Sequence, residues 1–365
     1  MKKIIFLLGL IMLILTGCDS SANSPAQFSN QQHSRVEILM GGPIEIRIFD
    51  IECTEAFTDD RCNLLDEAFE RIFDMERRWT VNDVGGEVER INEMAGIEPV
   101  EVQADTFYLI EQAIYYSIYS DSLFNAAIGP LTSMWNIAMP GTRRPNDEEI
   151  EAVLPLLDPT RVVLDAEAST VFLSDMGMRL DLGAIAKGYM ADVVAEFFLD
   201  NGISRALMIV GGEVVAIGGR YDGTPFNIGI RNPFSDDESP IDDYLVGTLP
   251  LYNQALVTSG TYSRYLAHQD TQTFYHHIFD SRTGFPFDTD IVSITIIADT
   301  GLLGEVYTII AFAMGTYAGL AYVEAHPNLE GMFISADNGI YLSTGLQDEF
   351  SLRSEVKDQF EVRTR

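Results

Sequence analysis

Between residues 36 and 49 apolar and polar positions alternate along two short runs, Val36 to Met40 and Ile44 to Phe49, either side of Gly41-Gly42-Pro43. A period of two sends successive side chains to opposite faces of a strand, and the Gly-Gly-Pro step supplies a turn, so the segment predicts a β-hairpin. The period then changes. Leu64, Leu65, Ala68, Phe69, Ile72 and Phe73 recur at helical spacing, which predicts a helix with one apolar face. A second helix is expected to be capped by Asp105 and to run to about Tyr119. Apolar runs at Val162 to Leu164, Val171 to Leu173 and Arg179 to Leu182 predict strands, followed by a helix from Ile185 to Leu199. Ala206 to Val210, Val214 to Ile217 and Asn227 to Ile230 read as strands separated by Gly-rich turns. Further on come a strand at Ile291 to Ala298, a helix near Glu305 to Ala313, and strands at Met332 to Ser335 and Ile340 to Ser343. Strand clusters mixed with a few long helices predict an α+β fold rather than a doubly wound sheet. Neither GxGxxG after an early strand nor GxxxxGK[ST] occurs, so neither of those nucleotide loops accounts for the chain.

The first residues are patterned differently. Lys2 and Lys3 precede an apolar run from Ile4 to Leu15, closed by Leu15-Thr16-Gly17-Cys18. The run falls short of the roughly 20 apolar residues that span a bilayer and has the form of a signal peptide, residues 1–17. A cysteine directly after small residues has the form of a lipobox, so Cys18 is expected to carry lipid and become the mature N-terminus; an ordinary signal peptide or an uncleaved anchor is the alternative. Residues 18–34, rich in Ser, Asn and Gln, read as a lipidated flexible tether, which implies a cell-membrane protein facing away from the cytoplasm. In an oxidising compartment Cys53 and Cys62 are able to form a local disulfide, and two buried thiols are the other reading. No Pro/Gly/Ser linker divides the chain beyond the tether, so one catalytic unit is expected.

Charge narrows the partners. Twenty-three basic against 55 acidic residues give a net −32, which argues against nucleic acid, where a basic footprint is needed. It also argues against loose adhesion to an anionic membrane and leaves the lipid as the anchor. Asp147-Glu148-Glu149, Asp236-Asp237-Glu238 and Asp242-Asp243 read as solvated loops.

Three segments carry candidate chemistry. In Arg179-Leu180-Asp181-Leu182-Gly183-Ala184-Ile185-Ala186-Lys187 a strand ends in an acid, turns at glycine and opens a helix with a lysine in its first turn. Unpaired N–H groups and a lysine at a helix start attract phosphate; a structural turn capped by Asp181 is the plainer reading. His276-His277-Ile278-Phe279-Asp280 holds two of the five histidines ahead of a Gly/Pro turn. A neutral imidazole can take a proton from a hydroxyl, and adjacent strand residues face opposite ways, so one of the two histidines can face a site. The alternative is a strand histidine beside an Asx turn. Val257-Thr258-Ser259-Gly260 with Arg264 reads as a hydroxyl-rich turn whose arginine can hold phosphate or carboxylate.

In order along the chain, Met40-Gly41, Arg78-Trp79-Thr80 with Glu87 and Asn92, Phe124-Asn125-Ala126-Ala127-Ile128-Gly129-Pro130 with Trp135, Asp181 through Lys187-Gly188-Tyr189 with Asp192, Gly211-Gly212, Thr258-Ser259-Gly260, and His277-Ile278 through Thr283-Gly284 form a series. This series resembles the ApbE family of FAD:protein FMN transferases, from about Val36 to Leu346. The resemblance implies a T-fold-like catalytic unit of mixed sheets and long helices over residues 35–350, with a tail over 351–365. It implies an enzyme that binds FAD with Mg²⁺ on the pyrophosphate, releases AMP and esterifies FMN onto a Thr or Ser hydroxyl of a membrane or extracytoplasmic redox flavoprotein. Carried over by position, Met40, Trp79, Asn125, Ala126, Ala127, Asp181, Lys187 and Ile278 would contact FAD. The carbonyl of Ala184 and the carboxylate of Glu305 would hold the metal, with His277 as base and Asp280 as its acidic neighbour.

The chain departs from the family pattern at four places. Glu305 stands where Asp is usual, and Ile309 where Thr would add a ligand oxygen; Thr308, next to it, should point elsewhere on a helix. Glu213 follows Gly211-Gly212 where Asp or Asn is common, and Ser281 stands where Pro is usual. Two other readings stay in play: in the same fold, an FAD pyrophosphatase giving FMN and AMP, and, consistent with Ile309 and Glu305, a non-catalytic FAD-binding lipoprotein.

Overall fold

Ile44, Ile46 and Ile48 are buried and alternate with partly exposed neighbours, as the period of two requires. Their strand, Gly42–Ile48, pairs with His33–Leu39 through the two-residue turn Met40-Gly41. Both turn residues have positive φ, 53° and 77°, the requirement of a type I′ hairpin. The structure is a computed structural model that describes residues 33–363, apart from 52, 54–60, 82–84, 237–238 and 268–273. The signal segment, Cys18 and the tether up to residue 32 lie outside the described residues, as do Asp237 and Glu238.

The hairpin begins a nine-stranded sheet in which spatial order follows chain order. After the hairpin come Ala206–Val210, Glu213–Ile217, Ala255–Gly260, Ile291–Ala298, Glu330–Ser335, Gly339–Leu342 and Glu361–Arg363. All neighbours are antiparallel except the last pair, where Glu361–Arg363 runs parallel to Gly339–Leu342. Residues 351–363 are therefore built into the fold rather than forming a tail: Ser351–Leu352 joins a smaller sheet with Leu245–Leu251 and Phe226–Arg231. Val356 and Phe360 are buried.

Eight α-helices occur among the described residues: α1 Leu64–Trp79, α2 Glu87–Glu93, α3 Ala104–Tyr119, α4 Gly129–Trp135, α5 Asp147–Val153, α6 Ala186–Asp200, α7 Gly301–Met314 and α8 Thr316–Glu324. The alternation predicted from the sequence sends the two faces of the large sheet into separate cores. Met208 and Val215 pack with α1, α3 and α6, while Leu207 and Ala216 pack with the smaller sheet. α7 is apolar nearly all round, as befits a helix enclosed by the strands Ala255–Gly260 and Ile291–Ala298 and by α6 and α8. The mixed sheets and long helices are the α+β arrangement expected.

Four local expectations are corrected. Asp105 is not the cap of α3. It lies inside the first turn, and both its oxygens take the guanidinium of the buried Arg78 at 2.6 Å. Arg179 to Leu182 is not a strand, because its backbone finds partners elsewhere. Leu180 N–H donates to Asn92 Oδ1 at 2.6 Å, its carbonyl accepts from Asn92 Nδ2 at 3.1 Å, and Asp181 N–H donates to the Ala126 carbonyl at 2.9 Å. The acids 147–149 are the first turn of α5, where a capping box from Asn146 and the positive helix end favour them. The hydroxyl-rich segment at 257–260 is the end of a strand, and the turn comes only afterwards. Cys53 and Cys62 are joined in a disulfide, which decides between the two readings of that pair.

Candidate active site

The corner at 181–188 is built as an open helix start. Asp181 Oδ1 accepts from Gly183 N–H at 2.9 Å, an Asx turn, and Oδ2 accepts from Thr132 Oγ1 at 2.7 Å. In a regular helix the Gly188 amide would close on the carbonyl of Ala184. Here it donates to Glu305 Oε2 at 3.1 Å instead, leaving the exposed Ala184 carbonyl free of that bond. Glu305, buried on α7, also accepts from Lys187 Nζ through Oε1. The two helices cross closely because both carry glycine at the contact: a Cβ on Gly188 would sit 2.3 Å from the Gly301 carbonyl oxygen. Burial alone would depress the Lys187 ammonium; the carboxylates of Glu305 and Glu213 outweigh it and hold it above the ordinary lysine value.

Asp192, on α6, caps α7 by accepting from Gly301 N–H at 2.7 Å and Leu302 N–H at 2.9 Å. Burial pushes its carboxyl up to about 7 against those two bonds. Glu213 is 1% exposed with neither oxygen hydrogen-bonded, and burial, with the charge of Glu305 adding, drives it well above the carboxylate range. Sequence reading assigned no role to either acid; the only signal for Glu213 was its place after a Gly-Gly turn.

His277 follows the strand Phe274–His276, whose partner Tyr265–Ala267 begins one residue after Arg264. Its Nδ1 lies 3.2 Å from the Arg264 carbonyl oxygen. A carbonyl only accepts, so in the neutral ring Nδ1 carries the proton and Nε2 keeps its lone pair. Burial pushes the imidazole down to about 4, with the positive charges of Arg264, His276 and Lys187 adding and the Arg264 carbonyl opposing. The ring is therefore neutral near pH 7. His276 faces the other way: its Nε2 donates to the Phe287 carbonyl at 3.0 Å and its Nδ1 accepts from Ile278 N–H at 3.2 Å, so it is a core residue.

Met40 reaches the same region. It sits in the left-handed conformation unusual for its residue type, its N–H donates to Glu76 Oε1 at 2.6 Å, and a Cβ on the adjoining Gly41 would lie 3.9 Å from Arg264 Nη2. Met40 and His277 are thus linked through Arg264, and Lys187, Ala184 and Glu305 through the α6–α7 crossing, while the charges of Arg264 and Lys187 act on one another and on His277.

Other predicted site residues are engaged differently. Asp280 does not reach His277; its carboxylate is held by the Arg282 guanidinium at 2.8 and 3.0 Å and by Arg282 N–H at 2.9 Å. Trp79 is buried, donates from Nε1 to Thr106 Oγ1 at 2.9 Å and stacks on Tyr189. Asn125 bonds the Leu157 carbonyl and the Ala127 amide, each at 2.8 Å, while Ala126 and Ala127 are fully buried, so this stretch shapes the wall behind Asp181. Ile278 is buried beside Phe287. Thr308 turns into the core: its hydroxyl donates to the Glu305 carbonyl at 2.7 Å and accepts from Ser259 Oγ at 3.3 Å. Ile309 is half-buried. A cavity of about 450 Å³ lined by Glu67, Arg71, Asp74, Arg78 and Asp105 adjoins Trp79 through Arg78, and none of the predicted site residues lines it.

The donors at the α6–α7 crossing are oxygens, the class a hard divalent cation takes. Among the described residues no three His, Cys, Asp or Glu side chains form a ready metal cluster. The fit rests on the freed Ala184 carbonyl and the Glu305 carboxylate.

A model of the ApbE family matches residues 40–333. The chain is 36% identical over 322 residues to a FAD:protein FMN transferase of Klebsiella pneumoniae, covering 88% of this chain and 95% of that one. It is 28% identical over 354 residues to a FAD:protein FMN transferase of Treponema pallidum, covering 93% and 94%. Among solved structures, the ApbE protein of Thermotoga maritima matches with a TM-score of 0.76 at 25% identity, over 87% of this chain and 99% of that one. The flavin transferase ApbE of Vibrio cholerae shares the fold, with a TM-score of 0.73 at 24% identity over the same shares. With most of its length matched by the family model and by a relative above 30% identity, this chain belongs to the ApbE family.

Proposed function

We propose that the chain is a magnesium-dependent FAD:protein FMN transferase that esterifies FMN onto a Thr or Ser hydroxyl of a redox flavoprotein and releases AMP. We place it at the extracytoplasmic face of the cell membrane, held by lipid on Cys18. The observation that carries the catalytic part is His277: a neutral ring, protonated at Nδ1 toward the Arg264 carbonyl, with Nε2 open to accept. The names of the relatives support flavin transfer from FAD.

In the reaction the acceptor oxygen bonds the FMN phosphorus, the bridging phosphoanhydride bond breaks with its electron pair leaving on AMP, and the hydroxyl proton goes to His277 Nε2. Lys187 and Arg264 supply positive charge toward the pyrophosphate. Ala184 and Glu305 would hold the magnesium ion, which when bound neutralises charge between the phosphates. Asp280 acts at one remove, fixing the turn after Ile278 through Arg282.

Ile309, which brings no ligand oxygen, favours a second reading as a non-catalytic FAD-binding lipoprotein. Chromatography of FAD, FMN and AMP after incubation with Mg²⁺, with and without an acceptor domain, separates the possibilities. AMP that forms only with acceptor present supports the transferase. FMN and AMP without acceptor make it a pyrophosphatase, and bound, unconverted FAD under all conditions makes it a binding protein.

A further inference from the structure

Glu213 opens the fourth strand of the large sheet, directly after the Gly211-Gly212 turn, and its carboxylate is wholly buried with no hydrogen-bond partner at either oxygen. The fold makes room for it. A Cβ on Gly301 would stand 2.3 Å from Glu213 Oε1 and 2.7 Å from the Gly188 carbonyl, so the glycine at the start of α7 opens the slot that the carboxylate fills. A buried, partnerless carboxylate is expensive unless something meets it in another state of the molecule.

Lys187 is the cation whose field reaches Glu213, and Glu213 in turn helps to raise Lys187. In the present arrangement that ammonium is bonded to Glu305. A divalent cation on Glu305 would take this carboxylate and repel the ammonium, which would then need another acceptor. Asp192 is unsuitable, since both its oxygens hold the α7 amides; His277 is a base kept neutral, and Arg264 is an exposed cation. Glu213 has both oxygens available.

We propose that Glu213 is a positioning residue that receives the Lys187 ammonium when a divalent cation occupies Glu305, so that the lysine exchanges one carboxylate for the other and clears the metal site. The proposal rests on the reading of Glu305 as a metal ligand.

The test uses the mature chain, with Mn²⁺ as the probe and with FAD both absent and present. Mn²⁺ affinity is measured by calorimetry and by the spin-resonance signal of the free ion, for wild type, Glu213→Gln, Lys187→Met and the double variant, with thermal melts as a folding control. Glu213→Gln is expected to weaken Mn²⁺ at least tenfold in the wild-type background and less than twofold when Lys187 is already Met, because no ammonium then needs a new partner. Equal weakening in both backgrounds overturns the proposal, as does no weakening in either. Should Glu213→Gln fail to fold, Glu213→Asp, which shortens the reach to Lys187, is read by the same two-background comparison. A wild type that binds no Mn²⁺ overturns the metal reading itself and this proposal with it.

Discussion

Replacing His277 by alanine removes one ring, one hydrogen bond and the only basic nitrogen proposed to act on the acceptor hydroxyl. A positioned general base contributes about 10²–10⁴ in rate, so transfer should slow by that factor, about 3–5 kcal/mol of lost transition-state stabilisation. The ground state loses far less. The lost bond runs from Nδ1 to a backbone carbonyl at a half-buried position, worth about 1 kcal/mol, and the released carbonyl can be met by water. FAD affinity should therefore stay within a few-fold of wild type. His277→Asn, which keeps an N–H able to face the Arg264 carbonyl but has no base, should be as slow as alanine. The assay is single-turnover AMP release with saturating acceptor, beside FAD binding by fluorescence. The pH dependence adds an independent check. With the folded imidazole at about 4 against an ordinary 6.5, this group stays neutral from about pH 5.5 to 8 and its contribution falls only as the pH drops through about 4. Between those two values the unfolded chain binds the extra proton, so His277 contributes stability above pH 6.5 that is lost as the pH falls toward 4. A variant keeping more than a tenth of the rate, or losing FAD binding in step with activity, would refute the base assignment.

The same geometry fixes three further outcomes. Ile309→Thr restores a hydroxyl one turn beyond Glu305 and should lower the Mg²⁺ concentration for half-maximal activity by about 3–10-fold; no change or a rise contradicts the ligand argument. Gly188→Ala drives a methyl to within 2.3 Å of the Gly301 carbonyl and 2.7 Å of Leu302 N, backbone atoms that cannot swing aside, so chemical denaturation should show a loss of about 1–3 kcal/mol. A loss under about 0.5 kcal/mol would mean that the α6–α7 crossing is slack. Removing the Cys53–Cys62 bridge, by reductant or by a double serine variant, should lower stability by about 2–3 kcal/mol given its short loop, and an unmoved denaturation midpoint argues otherwise.

Much of the scaffold was legible in the chain because its signals are local. The alternating strands announce the hairpin, but its turn falls on Met40-Gly41 rather than on the Gly41-Gly42-Pro43 step, with Gly42 and Pro43 paired in the second strand and Met40 taking a positive φ that its residue type does not signal; α1 buries the residues its spacing picked out, apart from Phe73, which is 53% exposed. The misses arise where a distant group decides the outcome. Arg179 to Leu182 reads as a strand until Asn92, a residue 88 positions earlier, takes the Leu180 amide and carbonyl. Asp105 reads as a cap until Arg78 claims both its oxygens. Asp280 reads as a partner for His277, yet an arginine two residues on binds it more closely. At the site, Lys187, Ala184 and Glu305 were named from the family pattern, and their union depends on two glycines, 188 and 301, that let α6 and α7 touch. That Glu213 would be buried without a partner beside Lys187 has no signature in the sequence, because it depends on strand register and on that crossing together.

Covalent transfer changes the mass of the acceptor, so intact-mass spectrometry of that protein is the decisive experiment. The chain from Ser20 onward would be incubated with FAD, Mg²⁺ and a candidate acceptor domain carrying a threonine in an exposed loop. The expected result is a mass increase of one FMN phosphoester on the acceptor, absent without Mg²⁺ and absent when that threonine is replaced by valine. An acceptor of unchanged mass across the domains tried, with FAD either intact or split to FMN and AMP in solution, would contradict the transferase reading.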